Sequence, residues 1–420
     1  MSVITSKHQL ADKELILGVT GSIAAYKAVY LLRELTQLGA GVTVVTTAHA
    51  REFIAPLTWR TLSGRPVLEN LFDPQTHDAV EHVGLAERAH ALLVVPATAN
   101  VLAKAAHGLA DDFLTTLLLA ARCPVLMAPA MDGGMWEHPA VVANVRSLRE
   151  RGVTVLEPEA GALASGLTGK GRLPEVDTVI EALLRLLAPT RDLAGEHVLV
   201  TSGPTREPID PVRYLSNRSS GKMGHAVATA ALRRGARVTL IAGPTPLSPP
   251  AGVVYVPVQT AEDMREASLH HLDSATIVIK AAAVADYRVA LPSATKIKSK
   301  KDEGVTLELV PNPDILKEIA SHEGSRFIVG FAAETDDVRA HAAAKLRAKG
   351  VDMLVLNDVS KTGIGFDADD NEVVLLDRWG GAVELPRMTK LEVAGAILDR
   401  VLALRRASVG AASPSDRAAR

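Results

Sequence analysis

The chain has 420 residues, 47% of them hydrophobic and 22% charged, with a formal net charge of −2. That length accommodates two or three domains with full cores, and the near-neutral balance gives no electrostatic reason for bulk binding to nucleic acid or to a membrane surface, so small molecules are the expected partners. One cysteine, Cys123, excludes an intrachain disulfide. The stretch before Glu14 lacks the apolar core of a signal peptide, and the most apolar window, Phe113 to Met131, is broken by Arg122 and Pro124; a cytoplasmic protein without a transmembrane segment is expected.

In chain order, strand Glu14 to Thr20 runs through Gly21 and Ser22 into a helix with apolar residues at helical spacing, and strand Gly41 to Thr47 follows. The alternation repeats through strand Ala91 to Thr98, two helices, strand Pro124 to Met131, a helix, strand VTVLEP and a last helix. Val-, Ile- and Leu-rich strands alternating with helices predict a parallel sheet covered on both faces, the α/β class. The Pro-containing, charged segment Ala188 to His197 interrupts the pattern, so the domains are expected at 1–190 and 191–406. From Ala407 the composition predicts a disordered tail, 407–420.

The second set opens with strand VLVTSG and the polar loop Asp210 to Gly224, DPVRYLSNRSSGKMG, which feeds into a helix. Arg213, Arg218 and Lys222 among serines and glycines before a helix N-terminus suit an anionic ligand, although the spacing is not that of a standard phosphate loop. After it come strands RVTLIAGP, GVVYVPV and TIVIKAAAV, the basic segment KIKSKK, strand VTLELV, strand FIVGFAAET, strand MLVLNDV, a hairpin and a final helix. In the first set, the turn GVTGSIAAYK lacks the dinucleotide spacing, and Thr46 and Thr47 stand where an acid would hold a ribose. NAD is therefore not expected. Gly21 with the hydroxyls of Ser22, Thr47 and Thr98, at carboxyl ends of strands, suits FMN; such hydroxyls are equally at home as turn caps.

GSIAAYKA, the HVGL containing His82, PATAN, GLADDFLTT, PAMDGGMW and SGLTGKGRLPE resemble the flavin-containing phosphopantothenoylcysteine decarboxylases. TREPIDPVRYLSNRSSGKMG, AAAVADY, KIKSKK, NPDIL, GFAAET and NDV are similar to phosphopantothenate-cysteine ligases. Together they resemble the bacterial bifunctional family of coenzyme A synthesis. The resemblance implies a flavodoxin-like domain with FMN, a Rossmann-like domain that uses CTP, and a homo-oligomer built from decarboxylase trimers and ligase dimers. It also implies two steps: 4′-phosphopantothenate is joined to cysteine, and the product is decarboxylated to 4′-phosphopantetheine.

Two residues depart from the decarboxylase pattern. Asp132 stands where the family has an asparagine that contacts the substrate carboxylate; two carboxylates in contact repel, so Asp132 should be protonated with substrate bound or should point elsewhere. Ser165 replaces the flap cysteine that helps reduce and reprotonate the ene-thiolate, and a hydroxyl is a far weaker acid than a thiol. Reprotonation through Ser165, Asp132 or water, a ligase with an inactive flavoprotein scaffold, and a flavin-binding regulatory protein all remain open at this stage. His82 would bind or deprotonate the cysteinyl part of the substrate, and Cys123 reads as a core residue.

In the second half the resemblance implies that Asn217 forms or holds an acyl-cytidylate and that Lys296 contacts the triphosphate, with Ser299 displacing one lysine of the usual run that also includes Lys298, Lys300 and Lys301. Asp286 is expected to contact nucleotide or Mg2+. Phe331 would pack on the base, Lys345 and Lys349 reach the same ligand from one helix, and Asn312 and Asp314 lie beside the nucleotide. Without the family, Asn217 would be a helix or turn cap.

Overall fold

The structure, a computed structural model, describes residues 9–71, 81–188, 190–298, 305–334, 346, 348–358 and 368–411. The chain divides between Pro189 and Thr190 into two compact units.

In the first unit, strands β1 (Glu14–Val19), β2 (Gly41–Thr46), β3 (Ala91–Ala97), β4 (Val125–Pro129) and β5 (Thr154–Val155) form a parallel sheet in the order β2-β1-β3-β4-β5. Every residue of β3 is buried. Alternate side chains of β3 leave opposite faces, so Leu93 and Val95 join Leu17, Leu31, Trp59 and Leu183 in one core, while Leu92 and Val94 join Leu102, Leu114 and Met127 in another. This two-sided burial is why the strands read as continuous apolar runs. The strand expected at VTVLEP shrinks to Thr154–Val155. The glycine-rich segment after it forms a hairpin, β6 (Glu159–Ala162) with β7 (Thr168–Arg172). Gly166 makes its turn with φ +84°, which disfavours any side chain.

The second unit contains β8 (His197–Ser202), β9 (Arg206–Pro208), β10 (Tyr214–Ser216), β11 (Arg237–Ala242), β12 (Val254–Pro257), β13 (Ile277–Lys280), β14 (Tyr287–Val289), β15 (Leu309–Pro311), β16 (Phe327–Glu334), β17 (Met353–Asp358), β18 (Asp370–Asp377) and β19 (Ala382–Thr389). Its main sheet runs β12-β11-β8-β13-β16-β17-β18-β19. The first six strands are parallel and the last two form an antiparallel extension. Numbered within the unit, those six have the order 3-2-1-4-5-6 of a doubly wound nucleotide-binding sheet. Helix Lys222–Arg233 has every residue from Gly224 to Leu232 buried, four of them alanine, between the sheet and the last helix. Small side chains let the helices approach closely.

Three expectations are corrected here. The polar loop Asp210 to Gly224 is partly ordered as a ribbon, β9 paired with β10. Of VTLELV only the end enters a strand, and it pairs with β14 outside the main sheet, its alternating polar residues suiting an exposed ribbon. The final helix, Lys390–Ala411, runs past Ala407, since extending a helix already formed costs far less than starting one; 412–420 lie outside the described residues. No described helix is long and apolar enough to cross a membrane.

Candidate active sites

In the first unit the winding direction changes between β1 and β3, and the loops leaving their carboxyl ends part to leave a crevice. At its base the Thr20 hydroxyl donates to the Pro96 carbonyl at 2.7 Å and accepts from the Thr98 N–H at 3.2 Å. Gly21 is sterically required, because a Cβ there would lie 2.4 Å from Cβ of His49. Ser22 Oγ accepts from the Ala24 N–H at 3.3 Å. The Thr47 N–H donates to the Val19 carbonyl at 3.1 Å, and Thr98 Oγ1 caps helix Ala99–His107 by accepting from the Val101 N–H at 3.5 Å. Gly21, Ser22, Thr47 and Thr98 thus lie just past the carboxyl ends of β1, β2 and β3, where hydroxyls suit the phosphate and ribityl chain of FMN; of the four, Ser22 also lines the cavity under the flap.

Sequence reading missed one acid here. A parallel bridge between Val45 and Leu68 brings Glu69 to the end of β2, where it accepts from Thr46 Oγ1 at 2.9 Å and pairs with Arg51 at 3.0 Å. Such an isolated bridge leaves no periodic signal in the sequence.

Ser22, Ile23, Met131, Asp132 and Ser165 help line a cavity of about 350 Å³ under the β6–β7 flap. The flap is fastened at its base: the Met131 N–H donates to the Gly171 carbonyl at 3.0 Å, and a Cβ on Gly171 would lie 2.2 Å from the Met131 oxygen. Asp132 caps the short turn Gly133–Trp136, its Oδ1 accepting from the Gly134 N–H at 3.2 Å while its Oδ2 accepts from the Ser165 hydroxyl at 2.7 Å. The two departures from the family pattern are therefore hydrogen-bonded to each other. The Ser165 hydroxyl, followed by the Gly134 N–H, holds the Asp132 carboxyl below the usual range.

His82 lies within helix Glu81–Arg88, its ring edge-on to Phe113 at 6.5 Å between centroids. It is not among the residues lining the flap cavity. Cys123 packs partly buried against the second core, where burial pushes its thiol up, away from reactivity.

In the second unit the change of winding falls between β8 and β13, and a cavity of about 380 Å³ opens there. Asn217, Lys222, Lys280, Asp286, Phe331 and Asn357 are among its lining residues. Glycines bring backbone to backbone at its edge: a Cβ on Gly224 would sit 2.5 Å from the Ser202 side chain, and one on Gly243 would sit 1.8 Å from the Pro204 oxygen. Asn217 is not a helix cap. Its Nδ2 donates to the Val284 carbonyl at 2.9 Å and so ties the polar loop to AAAVAD across the crevice. Thr205 Oγ1 adds a second tie, accepting from the Ala285 N–H at 3.0 Å.

Lys296 is exposed and is not among the cavity-lining residues. Its segment is nevertheless anchored. The Asp210 carboxylate accepts from the Ile297 N–H at 3.1 Å, and Arg213, paired with Asp210 at 2.6 Å, donates to the Ile297 carbonyl at 2.7 Å. Asn312 Nδ2 donates to the Ala285 carbonyl at 2.8 Å, and the Asn312 N–H donates to the Asp286 carbonyl at 2.8 Å, so Asn312 holds the loop that presents Asp286. Asp314 caps helix Ile315–Ser321 and pairs with Lys349. Burial pushes the Asp314 carboxyl up, but Lys349 and the Lys317 N–H outweigh this and leave it below the usual range. Lys345, Ser299, Lys300 and Lys301 lie outside the described residues.

Three polar cavity residues escaped the sequence reading, Lys280, Asn371 and Lys390, which come from β13, β18 and the start of the last helix. Asn357 Oδ1, by contrast in a quoted motif, is buried with no hydrogen-bond partner among the described residues, as expected of an atom that awaits a ligand. No group of three or more His, Cys, Asp or Glu that could hold a metal occurs among the described residues. Asp286 alone suits Mg2+ only where phosphate and water oxygens complete the shell.

A family model described as Flavoprotein matches residues 3–188, and one described as DNA/pantothenate metabolism flavoprotein C-terminal domain matches residues 193–404. The Coenzyme A biosynthesis bifunctional protein CoaBC of Bacillus subtilis (strain 168) is 46% identical over 398 residues, covering 94% of this chain and 98% of that protein. The chain belongs to this family of bifunctional coenzyme A biosynthesis proteins. The family member of the same name from Mycobacterium tuberculosis (strain ATCC 25618 / H37Rv) is 46% identical over 410 residues, covering 94% of this chain and 97% of that protein. A crystal structure of the C-terminal domain of a CoaBC protein is 42% identical, covers 51% of this chain and 99% of that chain, and has a TM-score of 0.44. Membership makes the chain a bifunctional enzyme of coenzyme A biosynthesis whose first unit is a flavoprotein.

Proposed function

We propose that the second unit joins 4′-phosphopantothenate to cysteine with CTP and that the first unit decarboxylates the product to 4′-phosphopantetheine. The observation that carries the reading is the meeting of Asn217, Lys280, Asp286 and Phe331 around one cavity at the switch point of the second sheet. In the first half-reaction the substrate carboxylate attacks the α-phosphorus of CTP and pyrophosphate leaves. The cysteine amine then attacks the acyl carbon and CMP leaves. Charge builds on the phosphate oxygens in the first step, where Lys280 at the cavity and Mg2+ on Asp286 would stabilise it, with Lys296 reaching in from its anchored segment. Phe331 offers an apolar face for the base; Lys345 and Lys349 would serve the triphosphate. Asn217 would hold the acyl-cytidylate through its side-chain oxygen, since its amide nitrogen is engaged with Val284.

In the first unit, FMN held by Gly21, Ser22, Thr47 and Thr98 would supply reversible uptake of a hydride equivalent from the thiol-bearing carbon. The flap, closed on Asp132, would exclude water while the carboxylate departs. Because His82 stands apart from the flap cavity, it would serve a site completed by a neighbouring subunit, which supports a homo-oligomer. Ile23 and Tyr26, exposed residues that line the cavity, are suited to such a contact. A cytoplasmic location fits an enzyme with one partly buried thiol.

The ligase assignment is tested by adding 4′-phosphopantothenate and CTP without cysteine. Pyrophosphate should appear in an amount equal to the enzyme, then turn over when cysteine is supplied. Asn217→Asp should slow the turnover by at least about a hundredfold, the scale of losing a preorganised polar contact in a transition state. Equal rates with ATP and CTP, or pyrophosphate release without amide, would refute it.

A further inference from the structure

Resting on the decarboxylase reading, we propose that Ser165 and Asp132 act as one proton-carrying pair, in which Ser165 hands a proton to the carbon that has lost CO2 and Asp132 refills Ser165. The pair is built into the fold. Asp132 is fixed by the Gly134 N–H at 3.2 Å, the flap strand is fixed to the adjoining residue through Met131 and Gly171, and Ser165 closes the tip of the same flap onto Asp132 at 2.7 Å. Both side chains line the flap cavity, as does Ser22.

The proton balance defines the order of events. In the substrate-free protein the hydroxyl proton points at an ionised Asp132. When the substrate thiol is oxidised, its sulfur gives up a proton and its carbon a hydride equivalent. The sulfur proton passes to Ser165 while the Ser165 proton passes to Asp132, which becomes neutral. Loss of CO2 leaves the former C–C electron pair in an ene-thiolate. Ser165 then donates its proton to the carbon of that ene-thiolate and recovers one from Asp132, forming a C–H bond and restoring the carboxylate. The hydride equivalent taken up earlier returns to the thiol-bearing carbon, and a proton from water completes the thiol. One proton is consumed overall, as loss of CO2 from a carboxylate requires. A serine alone is too weak an acid for this role, and a carboxylate alone lacks the reach of the flap; the hydrogen bond joins the two properties.

A neighbouring substrate carboxylate assists the storage step, because like charges side by side favour the neutral form of one of them. This resolves the presence of an acid where the family resemblance leads one to expect an amide. Asp132 need not bind the substrate carboxylate; it needs to be pushed by it.

The test has two independent arms. In the first, chemically made phosphopantothenoylcysteine is turned over once by the holoenzyme, and CO2, ene-thiol and 4′-phosphopantetheine are quantified against pH. Release of CO2 by the parent protein establishes the decarboxylase reading separately; its absence would overturn that reading and the pair with it. Given CO2 release, Ser165→Ala and Asp132→Asn should each accumulate ene-thiol and slow its reduction by about a hundredfold, in the range of lost general acid catalysis. The double variant should be no slower than either single one, since the pair acts as a unit. Ser165→Cys should restore reduction. Full-speed reduction by Ser165→Ala, or losses that multiply in the double variant, would overturn the proposal. The second arm needs no activity: a carbon-13 NMR titration of Asp132 in the flavin-free full-length protein should show its pKa rising towards the ordinary aspartate value in Ser165→Ala. An unchanged titration would show that the two side chains do not interact.

Discussion

Asp210 has no exposed side-chain surface yet carries a charge, and the structure shows why this is tolerated. Its carboxylate accepts from the N–H groups of Val212, Arg213 and Ile297 and from two nitrogens of the Arg213 guanidinium. The Arg213 contact is the chief reason the carboxyl is held far below the ordinary range. The consequence for stability has a definite sign. A depressed folded-state pKa stabilises the fold above the unfolded aspartate value of about 3.9, and the contribution is lost as pH falls from there towards the folded value. Thermal unfolding of the second unit followed from pH 7 to about 3 should therefore steepen below pH about 4 in the parent and flatten in Asp210→Asn. The same substitution releases Ile297, which sits between Lys296 and Lys298. It should raise the KM for CTP by about tenfold with a smaller change in kcat, as expected for lost ground-state binding. An unchanged KM would mean that the anchoring of this segment is irrelevant to the nucleotide.

The flap is the element whose behaviour depends most on a single atom's width. Gly171 lets β7 lie against Met131, and Gly171→Ala should lift the hairpin, because the new methyl would occupy the space of the Met131 oxygen. Limited proteolysis between Ala162 and Thr168 should accelerate several-fold in this variant, and single-turnover reduction of substrate should slow by about tenfold or more as the closed geometry is lost. Unchanged cleavage would place the anchor elsewhere. The contact between Gly243 and Pro204 predicts a different outcome for Gly243→Ala: the methyl clashes with backbone rather than with a hairpin free to move, so the second unit should lose roughly 1–3 kcal/mol, read as a lower Tm for that unit. The existence of the flap was legible through the resemblance carried by SGLTGKGRLPE, whose clustered glycines suit a mobile loop. Its hairpin pairing was not, since small and polar residues carry no alternation to reveal strands. The Ser165–Asp132 contact was hidden for a related reason: the residues are far apart in sequence, and each looked like an isolated departure.

At the scale of the molecule, each unit has cores of its own: Leu17, Trp59 and Leu92 belong to the first, while Val200, Val329 and Ile397 belong to the second. Calorimetry should resolve two unfolding transitions. FMN at about a hundredfold over its dissociation constant should stabilise only one by roughly 2.7 kcal/mol, and CTP only the other. A single transition shifted by both ligands would show that the halves unfold together. The α/β class was legible because buried parallel strands such as Ala91–Ala97 are unbroken apolar runs. The strand orders were not, because hydrophobic periodicity records what is buried and not beside what. That is also why Glu69, Asn371 and Lys390 went unnoticed: each reaches its place through sheet pairing or a helix start remote in sequence. Asn217 was found through the polar loop, but its grip on Val284 depends on the crevice between β8 and β13.

The ion pair of Lys349 with Asp314 gives the second site a further character. The protein already provides a counter-anion for one of its expected nucleotide-binding cations. On the proposed reading, a triphosphate arriving at Lys349 must displace a resident carboxylate rather than capture a bare ammonium from water. Binding there becomes an exchange of anions, in which the gain from the new contact is offset by the one surrendered. Such a site discriminates by the number of negative charges a ligand can deploy at once: a monophosphate competes poorly with Asp314, a triphosphate well. The nucleotide product of the reaction, stripped of its pyrophosphate, would then be expelled as the carboxylate reclaims its lysine.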